Sequence, residues 1–148
     1  MREISYVMVK PEFANYQAVI DEVKQRLNEA GLIVTNEGFV NYTADDAKKH
    51  YAEHVGKDFY PGLEKYITSD KAYGMQVEGE NAITTIRTII GSTKNPAEGT
   101  IRYDIPMSLG LELRITQNVV HASDSPESAK RELAIFEDLM ERNVRSNY

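Results

Sequence analysis

Apolar positions along this chain follow two periods, and the changes from one to the other mark out its elements. The run Ile4-Ser5-Tyr6-Val7-Met8-Val9 is short, β-branched and aromatic, as suits a strand buried on both faces, and Lys10-Pro11 ends it. Tyr16, Ile20, Val23, Leu27 and Ala30 then recur at helical spacing, with Gly31 as a left-handed stop. Leu32 to Tyr42 reads as a second, longer strand. Thr43 caps a polar helix running through Lys48 and His54, and a further helical piece lies near Pro61 to Ile67.

Ala72 to Glu78 predicts a third strand, broken at Gly79, after which Ala82, Ile83, Ile86, Ile89 and Ile90 keep helical spacing up to Gly91. From Gly91 to Gln117 no period holds. That stretch reads as a long connection, of a length that is usually functional when ordered. Asn118 to Val120 predicts a last short strand, and Ser125 with Pro126 starts a helix striped by Ala129, Leu133, Phe136 and Met140. The order βαβ, α, βαβ predicts an α+β protein, a ferredoxin-like βαββαβ fold with an antiparallel four-stranded sheet and extra helices, as one domain over 1–148.

Composition narrows the function. With 17 basic and 23 acidic side chains the formal charge is −6, which argues against a broad nucleic-acid surface but leaves room for a local anion pocket. There is no cysteine, hence no disulfide, thiolate metal site or cysteine nucleophile. The amino-terminal apolar run is too short for a signal-peptide core and no other stretch approaches a membrane span, so a soluble cytoplasmic protein that keeps its whole chain is expected.

Histidine is the remaining candidate for chemistry at neutral pH. His50 and His54 stand four apart on one predicted helix face, but the neighbouring Lys48, Lys49 and Glu53 read as solvated and suggest no third ligand. No metal-binding residue is therefore assigned. His121 closes the last strand and precedes the polar run Ala122-Ser123-Asp124-Ser125, a strand-end position where sites tend to form. Glu132, in the helix that follows, can fold back to hold one ring nitrogen and leave the other as nucleophile. Lys10, Arg87 and Arg102 lie far apart in sequence; if they converge they make a cationic pocket suited to consecutive phosphates. Neither a Walker loop nor a kinase-type glycine loop occurs.

Val9-Lys10-Pro11, Tyr51 with His54, Phe59-Tyr60-Pro61-Gly62-Leu63, Glu78-Gly79, Arg87, Gly91-Ser92-Thr93, Asn95-Pro96, Gly99-Thr100-Ile101-Arg102 and the block Asn118 to Ala129 together resemble the nucleoside diphosphate kinase family, in order over nearly the whole chain. The resemblance implies a ping-pong enzyme in which His121 takes the γ-phosphoryl of a nucleoside triphosphate such as ATP and passes it to a nucleoside diphosphate. It implies Glu132 as the carboxylate holding the histidine, with Lys10, Tyr51, Arg87, Arg102 and Thr93 around the transferring phosphate. Phe59 becomes the base platform, and Asn118 with Lys10 contacts the sugar hydroxyl. Mg2+ bridges the phosphates with few or no protein ligands, and the subunits form a homo-oligomer, a hexamer or tetramer.

The chain departs from the family pattern in places. Ala122 and Tyr103 stand where the family has glycine, Lys94 separates Thr93 from Asn95-Pro96, and extra residues, including Pro106, Leu109, Gly110 and Leu111, lie between Asp104 and Asn118. These changes raise an alternative: a catalytically inactive nucleotide-binding or assembly module with the same fold.

Overall fold

The computed structural model describes residues 1–111 and 118–146. Its sheet has four strands, β1 (Arg2–Val9), β2 (Ile33–Val40), β3 (Ala72–Glu80) and β4 (Val120–Ala122), in the order β2-β3-β1-β4. Every neighbouring pair is antiparallel. Helices α1 (Gln17–Glu29) and α4 (Ala82–Ile90) connect strands in the βαββαβ manner, with α2 (Ala44–His50) and α3 (Tyr60–Ile67) inserted between β2 and β3. Two more helices, α5 (Ile101–Ser108) and α6 (Pro126–Ser146), flank β4 in sequence. This is the ferredoxin-like α+β arrangement with extra helices.

β1 is central and apolar on both faces, so its alternation feeds two cores. Val7 and Val9 pack with Val19, Ile20, Val23 and Leu27 of α1 and Ile86 and Ile90 of α4. Tyr6 and Met8 face the other way, onto Ala47, Tyr51 and Ile67 and onto Ile135, Phe136 and Leu139 of α6. Close approach of α6 depends on two glycines. Gly38 and Gly74 are cross-strand partners, and a Cβ on Gly74 would lie 2.5 Å from the Phe136 ring.

Local signals account for most boundaries. Gly31 has φ +83° and lets Leu32 N–H reach back to the Leu27 carbonyl at 3.1 Å, closing α1. Thr43 and Asp46 form a reciprocal capping box at the start of α2. At α6, the Ser125 hydroxyl accepts from Ser128 N–H at 3.1 Å while the Ser128 hydroxyl accepts from Ser125 N–H at 3.0 Å.

The structure corrects several boundaries. The expected helix through His54 stops at His50, with a 3-10 turn at Ala52–His54. β3 continues past Gly79 to Glu80, and the turn comes at Asn81, whose φ is +49°. Arg102 is on a helix rather than in a loop: α5 begins after Thr100 and buries Ile101, Arg102 and Ile105. Pro106 inside that helix masks it in the sequence. The last strand is Val120–Ala122, not Asn118–Val120, so His121 sits within it, opposite Met8. The part of the long connection at 112–117 lies outside the described residues.

Candidate active site

Chain order alone does not show that β1, β4 and the amino-terminal half of α6 end at one place, but the sheet does. An open cleft of about 540 Å3 is lined by Lys10, Tyr51, Phe59, Arg87, Thr93, Arg102, Asn118, His121 and Glu132. Every residue singled out in the sequence therefore reaches the same cavity. Lys10 follows β1, Arg87 comes from α4, Arg102 from α5, Tyr51 follows α2, and Phe59 precedes α3.

His121 is 19% exposed on a strand held against β1, and its Nε2 lies 2.7 Å from Glu132 Oε1. The same carboxylate oxygen accepts from the Ser123 hydroxyl at 2.8 Å, and Ser123 Oγ in turn accepts from Tyr6 N–H at 3.3 Å. Glu132 is thus fixed from two sides. The structure moves the buried stripe of α6 by one position from the expected Leu133, so that Glu132 shares its inner face with Ile135, Phe136 and Leu139.

Burial, followed by the charges of Lys10 and Arg102, pushes the His121 imidazolium down to about 3. The ring is therefore a neutral base at pH 7. Since a carboxylate accepts only, Nε2 carries the hydrogen and Nδ1 keeps the ring lone pair. Burial raises the Glu132 carboxyl, an effect opposed by His50 and by the Ser123 hydrogen bond.

The strand carrying His121 is entered through a strained turn. Val119 has φ +80°, and Val120 N–H donates to the Asn118 carbonyl at 3.0 Å, closing a three-residue turn of the rare hand. A β-branched residue in that region is costly, by about 1–3 kcal/mol. Lys10 N–H holds the turn by donating to the Val119 carbonyl at 2.8 Å. The same geometry delivers the Asn118 side chain, whose Oδ1 accepts from Lys10 Nζ at 2.8 Å.

Two cations here are buried. Lys10 is pushed down to about 7 by burial and then by Arg102, so it holds its proton loosely until an anion arrives. Arg102 donates to the Gly91 carbonyl at 3.0 Å, to Thr93 Oγ1 at 3.3 Å and to the Val120 carbonyl at 2.9 Å. It joins the chain after α4 to the strand of His121. Arg87 is exposed at the same cleft. Tyr51 is buried with its phenol pushed well up by desolvation and by Glu132, which keeps it a hydrogen-bond donor. Phe59, at 56% exposure, stands at the rim with the Lys57 ammonium over its ring and His54 beside it.

The sequence reading of His50 as part of a solvated face is overturned. Its side chain is 1% exposed, lines the cleft, and stands edge-on to His121 with ring centroids 4.5 Å apart. Helical spacing groups Ala47, His50 and Tyr51 on one face, a signal that the flanking lysines obscured. Arg131 was also missed. It spans Glu53 at 3.1 Å and Glu132 at 3.9 Å.

Such a cleft joins a neutral imidazole with one free lone pair to a crowd of cations and donors. It is built to attack an electrophile that carries several negative charges. Comparison with known proteins points the same way. The nucleoside diphosphate kinase family profile matches residues 3–141. A nucleoside diphosphate kinase of Methanobrevibacter smithii is 42% identical over 139 residues, covering 92% of this chain and 87% of that protein. One from Archaeoglobus fulgidus is 44% identical over 137 residues, covering 90% and 85%. Among solved structures, a halophilic nucleoside diphosphate kinase from Halobacterium salinarum in complex with CDP superposes with a TM-score of 0.81 at 34% identity, covering 92% of this chain and 88% of that one.

Proposed function

The chain belongs to the nucleoside diphosphate kinase family, and from that premise we propose that it transfers the γ-phosphoryl group of ATP to nucleoside diphosphates through a phosphohistidine at His121. The observation that carries this reading is the His121–Glu132 hydrogen bond at 2.7 Å, which leaves Nδ1 as the free nucleophile.

In the first half-reaction Nδ1 attacks the γ-phosphorus. The N–P bond forms, the bond to the bridging oxygen breaks, and its electron pair leaves on the β-phosphate of ADP. The ring becomes cationic while keeping its Nε2 hydrogen, and the Glu132 carboxylate offsets that charge. In the second half a terminal oxygen of the acceptor diphosphate attacks phosphorus and His121 departs neutral. A low basicity favours that departure. Neither half requires a separate proton acceptor.

Lys10, Arg87 and Arg102 neutralise phosphate charge, with Tyr51 and Thr93 as hydroxyl donors. Asn118 and Lys10 serve the sugar hydroxyl. Phe59 stacks the base, and stacking accepts purines and pyrimidines alike. Magnesium fits as an ion carried in by the nucleotide. Among the described residues the cluster of metal-type donors at the cleft is His50, His121 and Glu132, a nitrogen-rich set unlike the oxygen shell magnesium takes. When bound, the ion supplies charge neutralisation between phosphates.

Residues 1–148 are read as one kinase domain, acting in the cytoplasm as a homo-oligomer, a hexamer or tetramer; among the described residues no helix is long and apolar enough to cross a membrane. The inactive-module alternative is not favoured, since the candidate residues all reach one cleft. Two-substrate kinetics test the proposal. Parallel double-reciprocal lines for ATP against a series of diphosphates are expected, and intersecting lines or no turnover would overturn it.

A further inference from the structure

His50 is a buried imidazole with a cost that the phosphoryl-transfer scheme does not explain. Neither Nδ1 nor Nε2 has a hydrogen-bond partner, although the side chain is 1% exposed. A buried polar group left without partners is disfavoured by about 1–3 kcal/mol. Tyr6, Tyr42 and Tyr51 surround the ring edge-on at centroid distances of 6.0, 5.5 and 4.6 Å, and His121 is nearer still at 4.5 Å. On the cleft side, donor atoms of His50, His121 and Glu132 all lie within 4.8 Å of one another.

We infer that His50, His121 and Glu132 form a binding site for a zinc-class divalent cation, and that its occupancy shuts off phosphoryl transfer. Two imidazoles and a carboxylate are a ligand set that zinc takes, with the fourth position left open, here toward the cleft. Magnesium, which prefers an octahedron of oxygens, gains nothing from this set, so the site discriminates between the ion that accompanies nucleotides and one that inhibits.

Inhibition by the metal rests on the proposed role of His121 as the nucleophile. A neutral imidazole has one ring lone pair available for bonding. Whether the metal takes it at Nε2 or at Nδ1, the other nitrogen carries the hydrogen, and no lone pair remains for phosphorus. Conversely, the phosphorylated His121 ring keeps its remaining hydrogen on Nε2, held by Glu132, so it offers the metal no lone pair unless that proton is displaced and the carboxylate gives up the ring. Zinc and the phosphoryl group therefore exclude each other on one residue, and nucleotide supply sets how much protein is open to the metal.

The test uses the full chain freed of metal and nucleotide. Co2+ replaces zinc as a spectroscopic probe, and Zn2+ affinity is read by competition with a chromophoric chelator. One equivalent bound, with the intense visible bands of four-coordinate cobalt, is expected. His50→Asn should weaken binding by about tenfold or more. Wild-type protein charged beforehand with ATP should bind no cobalt, a comparison that needs no variant and so survives any folding defect. In a third arm, Zn2+ should abolish labelling by γ-labelled ATP and a chelator restore it, whereas in His50→Asn the same Zn2+ removes a much smaller fraction of that variant's own zinc-free label. No cobalt spectrum, or equal affinity in His50→Asn and wild type, overturns the site. A spectrum that survives phosphorylation overturns the exclusion. Failure of the zinc-free wild type to take up label would instead count against the proposed function and leave the metal-binding result standing.

Discussion

Glu132 Oε1 stands 2.7 Å from His121 Nε2 and also accepts from Ser123, so one carboxylate oxygen decides which nitrogen of the histidine faces the cleft. Glu132→Gln keeps the size but loses the charge, and its amide can donate, inverting the tautomer so that hydrogen sits on Nδ1. A fall of about 100-fold in phosphorylation rate is expected, within the range for loss of acid–base positioning. Rapid-quench labelling with ATP measures it; a rate within twofold of wild type would mean that the carboxylate does not orient the ring.

Lys10 gives the pH dependence. Its ammonium is pushed down to about 7 without ligand, whereas a bound phosphate favours the charged form and raises it again. Binding at pH 8 must then take up a proton, and affinity must fall as pH rises past 7. Calorimetry in two buffers of different ionisation enthalpy should show uptake approaching one proton for the wild type and close to none for Lys10→Met.

The two arginines separate by burial. Arg102 satisfies the Gly91 and Val120 carbonyls, so Arg102→Met should cost about 1–3 kcal/mol of stability as well as activity. Arg87 is exposed, and Arg87→Met should lower turnover by about 100-fold or more while leaving stability within about 0.5 kcal/mol. Chemical denaturation beside steady-state assays distinguishes them.

Phe59 is the rim ring at 56% exposure, so its truncation should spare the fold. Phe59→Ala is expected to weaken nucleotide binding by about 1–3 kcal/mol, with similar losses for purine and pyrimidine diphosphates. Titration with four diphosphates checks it.

Sheet packing offers a control away from the site. Gly74→Ala drives a Cβ to 2.5 Å from the Phe136 ring and should destabilise by about 1–3 kcal/mol. Gly62, within α3, has nothing within 4 Å of such an atom, and Gly62→Ala should be neutral or stabilising by up to about 1 kcal/mol. Urea midpoints of the two variants test the contrast.

Elements with a continuous apolar run or a regular apolar stripe were legible in the sequence: β1, α1, α4 and α6 are close to where that patterning put them. Those whose identity comes from tertiary contact were not. β4 is three residues long, and its register is set by Val7, Met8 and Val9 across the sheet. α5 contains Pro106 and follows a Gly- and Pro-rich stretch, so local propensity spoke against it. The site divides the same way. His121 and Glu132 could be paired by chain position, but the burial of His50 beside them depends on α2 packing against α6, and charged neighbours hid it. Convergence of Lys10, Arg87 and Arg102 could be framed only as a condition, because strand order, not spacing, brings them together.

Nδ1 of His121 is proposed to carry the phosphoryl group between substrates. Phosphorus NMR of the protein charged with ATP, combined with peptide mapping under alkaline conditions, identifies both the residue and the nitrogen. A single acid-labile, base-stable phosphohistidine on Nδ1 of His121, discharged by GDP and absent from His121→Ala, is the predicted result; phosphate on Nε2, on another residue, or equally present in His121→Ala would contradict it.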